Sequence, residues 1–74
     1  MTYHELDTVV LTRDIPEHAL RSGELGVIVH LHSETVVEVE FGTAAGRTLL
    51  VTALPIDAMR PAGERDFRSF SPGA

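Results

Sequence analysis

His30 and His32 stand two residues apart in the run Leu25-Gly26-Val27-Ile28-Val29-His30-Leu31-His32, and Glu38 and Glu40 repeat that spacing in Val36-Val37-Glu38-Val39-Glu40-Phe41. In an extended chain, residues two apart share a face, so each pair presents its side chains together. Two imidazoles with a carboxylate on the adjacent strand are donors that a transition metal accepts. A closed site also needs a fourth ligand and outer partners that orient the rings. The sequence patterns neither, so metal binding is the minor reading, and no metal site and no cofactor are predicted. A histidine facing a glutamate across two strands is in any case an ordinary surface pair.

Nucleophilic chemistry has less support. There is no cysteine, and Ser22, Ser33, Ser69 and Ser71 fall in turns or near the C-terminus with no general base patterned beside them. A chain of 74 residues offers little depth for a water-excluding pocket of the kind that shifts catalytic pKa values. We read the chain as non-enzymatic. Gly23-x-x-Gly26 lacks the following helix and the basic neighbours of a phosphate loop. Its reading is structural: Gly23 serves a turn at positive φ, and Gly26 permits a bulge or a close approach.

These residues must be carried by one small fold. With 43% apolar and 23% charged residues the composition is that of a globular domain. Thr8 to Thr12 is a β-branched run and reads as the first strand. Arg13 to Gly23 has no strand period; Pro16 opens room for one helical turn, and Ile15 and Leu20 are its inward anchors. Leu25 to His32 is the second strand, with Leu25, Val27, Val29 and Leu31 assigned to the core. After Ser33-Glu34-Thr35 comes the third strand, Val36 to Phe41, with Val37, Val39 and Phe41 facing inward. A three-residue loop sets Leu31 against Val37, Val29 against Val39, Val27 against Phe41 and His30 against Glu38. Gly42 to Arg47 is a turn, and Leu49 to Thr52 is the fourth strand, with Leu49 and Val51 inward. Leu54 to Met59 holds a short helix in which Ile56 and Met59 cap the core, before a last pairing at Met59-Arg60. Short strands, one long loop and a one-turn helix ahead of the last strand describe an all-β, five-stranded SH3-like barrel over residues 1–61. Residues 62–74, rich in Gly, Pro, Ser and mixed charge, form a flexible tail.

Asp7-Thr8-Val9-Val10-Leu11-Thr12, Asp14-Ile15-Pro16-Glu17-His18, Gly23-Glu24-Leu25-Gly26-Val27-Ile28-Val29, Val37 to Phe41 and Leu54-Pro55 to Arg60-Pro61 occur in that order. In this the chain resembles a family of short bacterial proteins known only as a domain of unknown function, over about residues 5 to 61. The layout is more loosely similar to SH3-like accessory subunits, among them one of photosystem I and the β-subunit domain of nitrile hydratase, and to ribosomal KOW segments. The resemblance implies the fold, and the looser relatives imply docking onto a larger protein or RNA.

Charge narrows the partner. The formal net charge is -5, with six arginines and no lysine, and the acid excess falls within residues 1–60. Nucleic-acid binding draws on a clustered basic surface, so a KOW-like nucleic-acid barrel is the alternative and a protein with a basic surface the expected partner. The partner would be a toxin that the chain neutralises or an enzyme that it accompanies, and a further alternative is an accessory subunit of a metalloenzyme. No apolar run approaches the length of about 18 residues that a membrane span takes, and the N-terminus lacks a signal-peptide pattern. A cytoplasmic location is expected. The outer sheet face, with Ile28, Val36, His30 and His32 rimmed by Glu34, Glu38 and Glu40, is the expected interaction strip. The partner-binding residues are Ile28, His30, Glu38 and Glu40, joined by Asp14, Glu17 and His18 from the long loop.

Overall fold

The computed structural model describes residues 2–42 and 49–68. Five strands are present: β1 (Thr8–Leu11), β2 (Leu25–Leu31), β3 (Val36–Gly42), β4 (Leu49–Pro55) and β5 (Met59–Pro61). They pair antiparallel in one sheet of order β4-β3-β2-β1-β5. No pairing joins β4 to β5 among the described residues, so the sheet is open where a closed barrel was expected. A 3-10 turn, Ile56–Ala58, carries the chain from one edge strand to the other. The second strand of that connection is only three residues long and ends in Pro61, which gives it little ladder to offer.

The long loop covers the inner face of this open sheet. Ile15 and Leu20 are each 6% exposed and bond to one another through both backbone groups, at 2.9 and 3.1 Å. Pro16 starts a 3-10 turn, Pro16–His18, whose missing N–H is no loss at that position. Gly23 has φ of +95° and ends the loop, donating its N–H to the Leu11 carbonyl at 2.8 Å. Ile15 and Leu20 join Val9, Leu11, Ile28, Val37, Val39, Phe41, Leu54, Ala58 and Met59 in one core, with Tyr3, Leu50 and Ile56 packed against it.

Ahead of Val29 the inward face of β2 is the reverse of the expectation. Gly26 and Ile28 point to the core and Ile28 is fully buried, while Val29 is 36% exposed; Leu31, past Val29, keeps the expected side opposite the buried Val37 but is 40% exposed. The expected pairs His30 with Glu38 and Leu31 with Val37 are present, but Val39 lies opposite Ile28 and Val27 opposite Glu40. Val29 is the extra residue of a β-bulge between these two stretches. A bulge inserts one residue and so exchanges the faces of everything beyond it. Alternation could not reveal this, because Leu25, Val27, Ile28 and Val29 are apolar on both faces. Opposite the bulge the N-terminal segment continues the pairing of β1: Leu6 donates to the Ile28 carbonyl at 2.7 Å, and Ile28 donates to that of Asp7 at 2.9 Å.

Gly26 is required by side chains on β3 and not by the bulge. A Cβ at this position would lie 2.5 Å from Val39 Cγ1 and 2.7 Å from Phe41 Cε1, so the Phe41 ring packs where a side chain would be. In β4 the faces are again reversed from the expectation, since Leu50, Thr52 and Leu54 oppose the inward residues Phe41, Val39 and Val37. Val51, expected inside, is 47% exposed. The apolar triplet Leu49-Leu50-Val51 leaves the phase undetermined, and the register with β3 decides it.

Beyond β5 the chain does not run directly into a tail. Helix α1 (Glu64–Arg68) follows, anchored by Asp66, whose carboxylate accepts two bonds from the Arg60 guanidinium, at 2.8 and 3.0 Å, and one from the Gly63 N–H at 2.6 Å. The expected turn over 43–47 and the residues from Ser69 onward, Phe70 included, lie outside the described residues.

Candidate functional site

The outer face of the sheet is built from residues that alternate with the core: Thr8 and Val10 of β1, Leu25 and Val27 of β2, Glu38 and Glu40 of β3, and Val51 and Ala53 of β4. His30 stands directly across from Glu38, and His32, just past the strand, reaches the same carboxylate with Nε2 to Oε2 at 3.2 Å. The two imidazoles meet edge to face at a centroid distance of 4.9 Å. Thus the spacing of His30, His32 and Glu38 does bring them together. Among the described residues, however, no three His, Asp or Glu side chains are arranged to hold a metal ion.

Glu40 has a different setting. It lies between Val27 and Val51 in the ladder and is half-buried. With Thr8, Leu25, Gly26, Val27, Gly42 and Phe67 it lines a groove of about 310 Å³ on the outer face. Phe67 of α1 forms one wall and is 52% exposed. Arg60, directly across from Val10, holds α1 against this side of the sheet through Asp66, and the outward-facing Val10 is 2% exposed there. The Arg60 bonds, and after them the Gly63 N–H, hold the Asp66 carboxyl down to about 2 from its usual 3.8. The groove therefore joins an apolar floor to one carboxylate. Such a surface accepts an aliphatic stem that ends in a positive charge.

The seven expected partner-binding residues do not form one surface. Ile28 is in the core and leaves the set: the bulge at Val29 turns it inward, so it has no access to a partner. His30, Glu38 and Glu40 lie on the outer face. Asp14, Glu17 and His18 belong to the loop that covers the opposite, inner face. Asp14 Oδ1 accepts the Ser22 N–H at 2.8 Å, which closes the loop on itself. His18 Nε2 bonds Thr52 Oγ1 at 3.0 Å, and Thr52 shares the inner side with its cross-strand neighbour Val39. His18 thus ties the loop to β4, and Glu17 is exposed beside it.

Two features escaped the sequence reading. Phe67 is a groove wall, although the sequence placed it in the tail beyond the folded unit. The other is a cleft of about 610 Å³ at the β2–β3 end, lined by Thr2, Tyr3, Leu31, Ser33, Glu34, Val37 and Ile56. Burial, and then the charge of Asp7, raises the Tyr3 hydroxyl above its ordinary pKa of 10.0. Ser33 is held in the turn, where its Oγ accepts the N–H groups of Thr35 and Val36 at 3.2 and 3.1 Å.

No helix among the described residues is long and apolar enough to cross a membrane. Searches of curated proteins and of solved structures gave no match. Over residues 5–61 the chain matches the family model described as Domain of unknown function (DUF4926). That span contains all five strands and both 3-10 turns, the scaffold on which the outer face is built. The match covers well over half of the 74 residues, and the chain belongs to the DUF4926 family.

Proposed function

We propose that this protein is a non-enzymatic binding module that docks onto a protein with a basic surface, through the outer face of its sheet. The observation that carries this reading is the half-buried Glu40 in the apolar groove of Leu25, Val27 and Phe67. A lysine or arginine side chain laid across Val27 meets apolar surface along its stem and a carboxylate at its end. Glu38 and the overall charge of -5 add an attractive field that speeds encounter with a basic partner. The partner is a basic toxin that the module neutralises or an enzyme that it accompanies, in the cytoplasm of a bacterium.

The fold proposed for this module is SH3-like. The strand order β4-β3-β2-β1-β5 and the 3-10 turn directly ahead of β5 support an SH3-like arrangement. The outer sheet face and the long loop were both expected to meet the partner. Here they face opposite ways, so the loop is excluded from the same contact.

The test is affinity capture from the native host with the wild-type chain and with Glu38→Arg and Glu40→Arg side by side. A basic protein enriched by the wild type and lost with Glu40→Arg, with binding that weakens as salt is added, is the expected result. A partner retained by both charge-reversed chains, or no enriched protein, would refute the reading. Salt-sensitive binding to mixed RNA would favour the nucleic-acid alternative instead.

A further inference from the structure

We infer that the protein pairs with a second copy of itself through the free edge of β4, extending the sheet across a two-fold axis at Thr52. The strand reads Leu49-Leu50-Val51-Thr52-Ala53-Leu54-Pro55 and has no charged residue along its seven positions. It pairs only with β3 among the described residues, so its other side is an open row of peptide groups. Monomeric proteins protect long edges with charges, prolines, bulges or short strands. The opposite edge, β5, has such protection: it is three residues long and contains Arg60 and Pro61. By comparison β4 is bare.

Which groups face outward follows from the register. Ile56 donates its N–H to the Thr35 carbonyl at 2.9 Å, which makes the facing pair Val36 and Pro55 a non-hydrogen-bonded one. The two kinds of pair alternate along an antiparallel ladder. Leu54, Thr52 and Leu50 are therefore bonded to β3, and the peptide groups of Leu49, Val51, Ala53 and Pro55 point to the free edge. Pro55 sits where a missing N–H takes nothing from the ladder with β3.

A second copy fits this edge better than an unrelated strand. A two-fold axis at Thr52 is the one antiparallel register that uses all of Leu49–Pro55. It sets Val51 opposite Ala53 of the second copy, large against small, and these two exchange both backbone bonds. Leu50 meets Leu54, and the Leu49 N–H finds the Pro55 carbonyl. The same patch then satisfies itself, as a two-fold interface requires. Charge also permits it. Both chains are acidic, which opposes most face-to-face contacts between copies, yet the nearest patterned acids, Glu38 and Glu40, are one strand away on β3. Across the joined strands they are about three strand spacings apart, roughly 14 Å, beyond the screening length of about 8 Å at physiological salt.

The test is sedimentation equilibrium of the full chain from low micromolar to submillimolar concentration, with amide exchange measured at both ends of that range. The expected result is a mass that doubles with concentration, together with protection of the Val51 and Ala53 amides that grows as the dimer forms. Val51→Lys places a charge on the exposed edge, and Ala53→Pro removes an edge donor without touching the bonds to β3. Each is expected to raise the dissociation constant at least about tenfold while the circular dichroism stays that of the wild type. Leu6→Lys, at a side chain 79% exposed elsewhere, is expected to leave the dimer unchanged. A monomer at every concentration would overturn the inference. So would a dimer that persists in either folded edge variant, or protection that grows anywhere but β4.

Discussion

Gly26→Ala is the sharpest perturbation of this fold. A Cβ there would sit 2.5 Å from Val39 Cγ1 and 2.7 and 3.0 Å from Phe41 Cε1 and Cδ1. Both neighbours are core side chains, 0% and 1% exposed, so neither can swing into solvent to make room. Overpacking of this kind costs about 1–3 kcal/mol. Against it stands the smaller entropy of the unfolded chain with alanine, worth about 0.4–1 kcal/mol. The net loss is about 1–2 kcal/mol, a large share of the roughly 3–9 kcal/mol available to a folded unit of about 60 residues. At about 4–8 °C per kcal/mol, the melting temperature should fall by roughly 5–15 °C. Thermal and urea unfolding followed by circular dichroism measure this. Gly42→Ala is the control, because its added Cβ meets nothing within 4 Å; it should leave stability unchanged or raise it slightly. Phe41→Leu combined with Gly26→Ala should cost less than the two singly, since removing the ring edge relieves the clash. A Gly26→Ala protein that melts at or above the wild type would refute the close approach and, with it, the inward phase of β2.

Two further experiments read the same architecture. Ile28→Ala should destabilise by about 2–5 kcal/mol, whereas His30→Ala, two residues on, should stay within about 0.5 kcal/mol of the wild type; comparable losses would mean that the bulge at Val29 is misplaced. Asp66 is more acidic in the fold than in the unfolded chain, so the stability that its tie to Arg60 contributes is complete above the usual 3.8 and declines as pH falls to about 2, while the tie itself is protonated only near about 2. An acid titration of the Gly63 amide by NMR should show a transition near that lower value that Asp66→Asn abolishes; a transition at 3.8 would mean that the Arg60 pair does not form.

The outer face differs from the expected one for a local reason. The strip of charge on the outer face survives in His30, Glu38 and Glu40, but its apolar part is different from the one expected. Ile28 went inside, and Leu25, Val27 and Phe67 took its place beside Glu40. The loop acids Asp14 and Glu17 are accessible, yet they cover the other side of the sheet. In the function proposed here, a groove on one face replaces a single partner surface spanning both sets.

The sequence by itself determined much of the frame. β-branched runs, the Pro16 excursion, Gly23 and the Leu54-to-Pro61 segment were enough to place five strands, the long loop with its anchors Ile15 and Leu20, and the short turn before the last strand. These are local signals, written in propensity and in φ restrictions that each residue carries with it. The pairs His30 with Glu38 and Leu31 with Val37 were also legible, because the short turn at Ser33 fixes the register nearest to it. Only the tertiary structure decided which way β2 and β4 face. Both are apolar on two sides, so period-2 reading has no contrast to use, and one inserted residue at Val29 reverses the phase. The Phe41 ring over Gly26 and the ladder between β3 and β4 resolve what the residues leave open. The same ladder leaves Val51 and Ala53 on a free edge, a property of pairing between strands that no single strand contains.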